Sequence, residues 1–278
     1  MARAHYENFP VASLLLPRSK RPLIAAVYAF ARAADDFADE GNDPPSLRLE
    51  KLDAWQNKLD ACFEGKADHP VFIALAETAA RTGTPRVLYS DLLRAFRMDV
   101  TTSSFATAKE LLEYCTFSAN PVGRLVLHIF EGATAEASAL SDSICTGLQL
   151  ANFAQDLSVD RPRGRLYIPL EDLARFGYTP STLDRASAGG RLGDLVQVQV
   201  DRARAFLTGG APLIGLAPRT LRFELALTVR GGLGILRAVE RLGPQVMGRR
   251  PTLSLMRYPA IALKASQDLW RWNSQPPR

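Results

Sequence analysis

The chain has 278 residues, 47% of them hydrophobic, with 34 Lys and Arg against 29 Asp and Glu for a net charge of +5. That is enough apolar material for a full core, and the charge is mild and dispersed. No basic stripe or known nucleic-acid module appears, which argues against nucleic acid as a partner, and no apolar run reaches the roughly 20 residues that span a bilayer.

In chain order the texture is helical almost throughout. Val11 to Leu16 is too short for a signal-peptide core and ends at Pro17. Pro17 and Pro22 precede a helix that runs to the turn Gly41-Asn-Asp-Pro-Pro45. Ser46 to Phe63 reads as an amphipathic helix stopped at Gly65, and His69 to Arg81 as another ended by Thr82-Gly-Thr-Pro85. Arg86 to Val100 follows. Thr107-Ala-Lys-Glu110 has the capping-box form and opens a helix toward Gly132, which Asn120-Pro121 must kink or break. One helix is expected from about Ala135 to Asp160, then a basic loop, Arg161-Pro-Arg-Gly-Arg165. Pro169 to Phe176 and a start at Thr179-Pro-Ser are short. Leu192 to Leu207, Arg219 to Leu242 and Thr252 to Asn273 complete the set, with strand-like alternation only at Leu195 to Val200. Gly209-Gly210 and Gly231-Gly232-Leu-Gly234 match no phosphate-binding loop and read as turns or close helix contacts. With no long linker or repeat, residues 1–278 form one all-α domain on this reading. Cys62, Cys115 and Cys145 are odd in number and far apart, which fits free thiols in a reducing cytoplasm.

Two helical segments carry aspartates four residues apart. Tyr28, Arg32, Asp35 and Asp39 fall on one helical stripe, with Asp36 beside it. Gln149, Asn152, Asp156 and Asp160 fall on another. With 17 aspartates in the chain, one such pair by chance is ordinary, and Asp39/Asp43 is a third. The apolar setting separates the first two from a solvated face. Asp35 follows the run Leu23 to Ala31 and Asp156 follows Leu148 to Phe153; carboxylates there need a cation or a partner. Hard divalent cations such as Mg²⁺ take oxygen ligands shared between a few carboxylates and substrate phosphates. Two facing stripes therefore suit a diphosphate held through metal ions.

These residues resemble the squalene/phytoene synthases. Tyr28-x-x-x-Arg32-x-x-Asp35-Asp36-x-x-Asp39 is similar to that family's first aspartate-rich motif, and Gln149-x-x-Asn152-x-x-x-Asp156-x-x-x-Asp160 with Gly164-Arg-Leu-Tyr-Ile-Pro169 to its second. Tyr114-Cys-x-x-x-Ala119-x-x-Val122-Gly123 resembles the central element. His5-Tyr-Glu-Asn-Phe-Pro, Ala34 to Gly41 and Ser118-Ala-Asn-Pro-Val-Gly-Arg124 are most like the hydroxysqualene synthases of bacterial hopanoid pathways, although Ala154 and Arg161 stand where that branch tends to carry aromatics. The resemblance implies an isoprenoid-synthase helical bundle around a central pocket, a prenyl diphosphate substrate and Mg²⁺. It implies Asp35, Asp39, Asn152, Asp156 and Asp160 as metal ligands and Tyr114 as a catalytic residue. It further implies His5, Tyr28, Arg32, Gln149, Asn152, Arg165 and Tyr167 as substrate-binding residues. Arg161 and Arg163 are further phosphate contacts on this view, and Phe9, Phe30, Phe117 and Phe153 further pocket candidates. Three readings stay open: ionisation of presqualene diphosphate with a water quench, head-to-head condensation of two prenyl diphosphates, and a non-catalytic helical assembly factor. The tail Leu263 to Trp272 sets two Trp beside a basic residue, a composition of membrane interfaces. A cytoplasmic protein touching the inner face of the membrane, with pathway enzymes as partners, is the matching expectation.

Overall fold

The computed structural model describes residues 16–183, 191–253 and 258–273. The described residues fold into helices α1 (Arg21–Asp39), α2 (Pro45–Phe63), α3 (Pro70–Thr82), α4 (Arg86–Thr101), α5 (Ala108–Ser118), α6 (Asn120–Ile129) and α7 (Ala135–Gln155). After these come α8 (Leu157–Asp160), α9 (Leu170–Arg175), α10 (Pro180–Leu183), α11 (Leu192–Gly210), α12 (Leu213–Leu216), α13 (Arg219–Leu242) and α14 (Tyr258–Asn273). The only β contact among them is an isolated bridge between Ser104 and Leu166.

Local chemistry sets most boundaries. Pro45 and Pro70 occupy first helical positions, where their missing N–H is no loss. Gly83, at φ 65°, closes α3 in the left-handed conformation that glycine adopts without a Cβ clash. The Thr107 hydroxyl accepts from the Glu110 N–H at 3.2 Å. The Glu110 carboxylate reaches past Thr107 to the Ala106 N–H at 2.8 Å, so the capping box is shifted by one residue.

The expected break in the helix opened by Thr107 falls at Ala119, where Pro121 cannot continue the hydrogen-bond ladder, and gives α5 and α6. Some other boundaries change. The helix expected to reach Asp160 stops at Gln155; Asp156 leaves helical geometry at φ −97°, ψ 13°, and α8 restarts after it. Leu195 to Val200 lies inside α11, where Leu195, Val196, Gln199 and Val200 form one buried helical face. Thr252 and Leu253 are not helical, the described part of the last helix being Tyr258–Asn273, and α12 had no periodic signal in four residues.

Packing divides the bundle around a gap. α1 lies against α2, α3 and α4, joined by an aromatic cluster in which Phe30 meets Tyr89 (5.5 Å), Phe72 (5.9 Å) and Trp55 (6.2 Å). On the other side α7 packs against α6, α11 and α13. α7 and α11 run antiparallel in close contact. A Cβ on Gly147 would sit 2.8 Å from the Leu207 backbone nitrogen, and one on Gly210 would sit 2.7 Å from the Leu140 carbonyl. α5 and α6 bridge the two sides and frame a cavity.

The seam gives a test by substitution. Gly210→Ala forces backbone apart and should cost about 1–3 kcal/mol. Gly231→Ala, in α13 with nothing within 4 Å of its added Cβ, should gain up to about 1 kcal/mol from helix propensity. Urea unfolding reads both; equal effects of one sign would refute the close approach.

Candidate active site

A cavity of about 260 Å³ opens between the two sides of the bundle. α1 lines it with Tyr28, Ala31, Arg32 and Asp35, and α4 with Leu92, Ala95, Phe96 and Asp99. Tyr114 and Ser118 come from α5, Val122 from α6 and Gln149 from α7. Spacings of three and four residues on each helix produce this lining, so one face of α1 and one of α4 turn inward together.

The two aspartate stripes arrive from opposite sides, and arginines tie them. Arg32 lies 3.0 Å from Asp35, 2.6 Å from Asp36 and 2.5 Å from Glu40. Asp39, at the end of α1, takes a very short contact from Arg165 and a second from Arg163 at 3.6 Å. The Arg165 bond spans 126 residues and joins the first motif to the loop after the second. Asp156 receives both Nε and Nη2 of Arg250, the latter at 3.2 Å. Its departure from the helix turns its own carboxylate to that fork. Asp160, on α8, has its pKa pushed up to about 6, by burial first and then by Asp156, against the pull of Arg165 and Arg163.

Asp99 carries no motif yet faces the same cavity. Tyr114 Oη donates to its carboxylate at 2.7 Å. Burial pushes Asp99 up to about 7, Asp35 and Asp39 add to the rise, and Tyr114 and Arg165 oppose it. Cavity solvent reaches Asp99, which is half-buried by exposure, while protein surrounds its other sides. The Tyr114 phenol is raised well above its usual range by burial and by the Asp99 charge. Behind Tyr114 stand Phe105 at 5.3 Å, Phe153 at 6.2 Å and Tyr167 at 6.3 Å, with Phe153 and Tyr167 stacked at 3.9 Å. Tyr167 is placed there because the Leu166 N–H donates to the Ser103 carbonyl at 2.8 Å, pinning its segment to the α4–α5 connection.

Six carboxylates (Asp35, Asp36, Asp39, Asp99, Asp156 and Asp160) therefore meet four guanidinium groups (Arg32, Arg163, Arg165 and Arg250). Among the described residues no three His, Cys, Asp or Glu side chains already converge as a metal-ligating group. The donors are nonetheless hard oxygens in local excess over positive charge, a set that fits divalent cations.

The sequence candidates divide accordingly. Tyr28, Arg32, Asp35, Tyr114 and Gln149 line the cavity. Asp39, Asp156, Asp160 and Arg165 lie in the connected ion-pair network. Asn152 is half-buried one turn before Asp156, whose N–H bonds its carbonyl at 2.8 Å. Tyr167 and Phe153 back Tyr114 and are not part of the described lining. Phe30 is fully buried in the aromatic core and Phe117 lies under Arg94 at 3.8 Å, so neither is a pocket residue. Arg161 turns away and donates to the Pro180 carbonyl at 3.2 Å. Ala154 is buried in the core. Asp43, of the third pair, is held by Lys51 and closes the α1–α2 turn. His5 and Phe9 lie outside the described residues. Asp99 and Arg250 are additions. Asp99 was signalled only by a carboxylate on the apolar stripe Leu92, Ala95, Phe96, and Arg250 by nothing local, being 94 residues from Asp156.

An aspartate-rich cavity inside an all-helical bundle defines an enzyme of the isoprenoid-synthase type. The squalene/phytoene synthase family model matches residues 2–257, and the chain belongs to that family. A hydroxysqualene synthase of Sinorhizobium fredii is 35% identical over 80% of this chain and 75% of its own length. A phytoene synthase of Arthrospira platensis is 30% identical over 93% and 89%. The crystal structure of squalene synthase HpnC from Alicyclobacillus acidocaldarius superposes with a TM-score of 0.81 at 41% identity, covering 87% of this chain and 90% of that one.

The Asp99 environment gives a pH test. Its folded pKa, about 7, lies above the ordinary carboxylate value of 3.8, so stability is greatest below the unfolded value and falls as pH rises toward 7. Asp99→Asn removes that fall, by at most about 1.4 kcal/mol per pH unit. Thermal melts of both proteins from acid to neutral pH should diverge; parallel profiles would mean that Asp99 ionises normally.

Proposed function

We propose that the protein converts presqualene diphosphate to hydroxysqualene with Mg²⁺, in squalene and hopanoid biosynthesis. The observation that carries this reading is the pair of aspartate stripes, from α1 and from α7 and α8, joined by arginines beside an aromatic-backed cavity. Asp35 and Asp39 on one side, and Asp156, Asp160 and Asn152 on the other, would hold the metal. Mg²⁺, when bound, supplies Lewis-acid stabilisation of charge on the departing diphosphate.

The chain's own groups do the rest. Arg165 and Arg250 reach the carboxylates as fork-shaped donors and suit diphosphate oxygens equally well. Arg32 holds Asp35 and Asp36 in place. Tyr28 and Tyr114 turn aromatic surface to the cavity, where a ring face stabilises a carbocation. Asp99 fixes the Tyr114 phenol and with it the ring. Resemblance at Ser118-Ala-Asn-Pro-Val-Gly-Arg124 and relatives such as the Sinorhizobium hydroxysqualene synthase favour a water quench. Condensation of two farnesyl or geranylgeranyl diphosphates is the second reading, favoured by the near full-length similarity to a phytoene synthase. Retention of both aspartate stripes speaks against a non-catalytic assembly factor.

Asp35→Asn, Asp39→Asn, Asp156→Asn and Asp160→Asn should each lower turnover by about 10²-fold or more, on the order of 3 kcal/mol of barrier. Asp43→Asn should leave it unchanged. Presqualene diphosphate with Mg²⁺ and no reductant should yield hydroxysqualene labelled from oxygen-18 water, and NADPH should not divert it to squalene. Consumption of farnesyl diphosphate alone transfers the assignment to the condensing reaction.

Peripheral contact with the cytoplasmic membrane face belongs to the same proposal. No helix among the described residues is long and apolar enough to cross a membrane. α14 exposes Leu263 (62%) and Trp270 (73%) seven residues apart, on one face. Beside it Arg237, Arg241 and Lys264 rim a groove floored by Leu253 and Ile261. Flotation should carry the protein upward with anionic vesicles at low salt and less at high salt; protein left at the bottom of the gradient rejects the contact.

A further inference from the structure

Ser118 stands out on the cavity wall. It is the last residue of α5, one turn beyond Tyr114, and lines the cavity with it. Its hydroxyl oxygen is shielded from bulk water and has no hydrogen-bond partner among the described residues. Buried hydroxyls are nearly always partnered, because an orphan forfeits its hydration without replacement. The usual local solution, a bond back to a carbonyl of the preceding turn, is taken by Thr78, Thr82 and Thr208 in their own helices but not by Ser118. A serine has three staggered side-chain positions separated by little energy. Rotation toward the adjoining cavity is the move that ends the orphan state, provided that something polar is there to meet it.

The remaining lining explains what that something is. Val122, Leu92, Ala95 and Phe96 are apolar. Of the polar groups in the lining, Tyr114 bonds Asp99 and Arg32 bonds Asp35, and Tyr28 and Gln149 lie there as well. Ser118 is the lining hydroxyl without a partner, able both to donate to a water oxygen and to accept from it.

We infer that Ser118 holds the water molecule that quenches the rearranged carbocation, and so directs the reaction to the alcohol. This rests on the functional reading above. The water oxygen forms the new C–O bond, and one water proton leaves to solvent or to the released diphosphate. Without a held water, the cation loses a proton from a neighbouring carbon to the released diphosphate, and the C–H electron pair becomes a C=C bond. Both routes balance without an oxidant or reductant. Ser118 acts here as a positioning residue, since it fixes a reactant and exchanges no proton of its own with the substrate carbon.

Ser118→Val and Ser118→Thr form the test, because Val and Thr differ only by a methyl in place of the hydroxyl. Each variant is incubated with presqualene diphosphate and Mg²⁺ in oxygen-18 water, and diphosphate release and the ratio of alcohol to alkene are measured. Ser118→Thr should keep the wild-type ratio. Ser118→Val should lower it about tenfold, the loss of about 1.4 kcal/mol of selectivity, with diphosphate release within about threefold of wild type. Should the valine variant not fold, Ser118→Ala is read on the same ratio. Equal ratios in the hydroxyl-bearing and hydroxyl-free variants overturn the inference. So does a fall in diphosphate release that matches the fall in alcohol, which marks a packing role. A wild-type enzyme that makes no alcohol from presqualene diphosphate overturns the functional reading and this inference with it. An unchanged ratio in an alcohol-forming enzyme overturns this inference alone.

Discussion

The bundle is organised around carboxylate repulsion that it has to hold in check. Asp35, Asp36, Asp39, Asp99, Asp156 and Asp160 converge from α1, α4, α8 and the α7–α8 junction, and left alone they would push α1 away from α7 and α8. Arg165 and Arg250 counter this from distant parts of the chain, one in the loop after α8 and the other after α13. Each removes one carboxylate from the balance by a forked or very short contact, while Asp99 and Asp160 keep raised pKa values, from burial first and from neighbouring carboxylates second. A site with unneutralised hard-oxygen charge is poorly satisfied by protein alone. Divalent cations held there, as proposed, would couple the stability of the region to its occupancy.

That balance depends on rigid walls. On one side the aromatic cluster around Phe30 fixes α1 against α2, α3 and α4, so the Tyr28, Arg32, Asp35 face has only the cavity to turn to. On the other, glycines at 147 and 210 let α7 and α11 approach to backbone contact, and a close-packed pair resists sliding. α5 lies between, and the break at Ala119 lets it lean independently of α6. Tyr114 and Ser118 owe their place on the wall to that break.

The end of α7 shows how a local irregularity serves a site. In an unbroken helix Gln149, Asn152, Asp156 and Asp160 would share one stripe. The actual chain leaves helical geometry at Asp156 and restarts at Leu157, and the Asp156 carboxylate at this junction is taken by Arg250. Gln155, just before, donates to the Pro251 carbonyl at 2.8 Å and holds the Arg250 segment in position.

Much was decided by sequence alone, where the cause is local or periodic. Helices from Arg86 and from Arg219 to Leu242, the stop at Gly83 and the break at Asn120-Pro121 follow from proline, glycine and 3.6-residue periodicity, which act within a turn or two. The inward stripe of Tyr28, Arg32 and Asp35 was legible for the same reason. Leu195 to Val200, strand-like in alternation but inside the expected Leu192 to Leu207 helix, is helical because its apolar residues bury one helical face. Only the tertiary structure decided which carboxylate meets which arginine, that Asp99 joins them, that Phe30 is core and Tyr167 support, and that the Ser118 hydroxyl lacks a partner. Those facts depend on contacts across as many as 126 residues, set by how helices pack, and no local pattern in the chain encodes them.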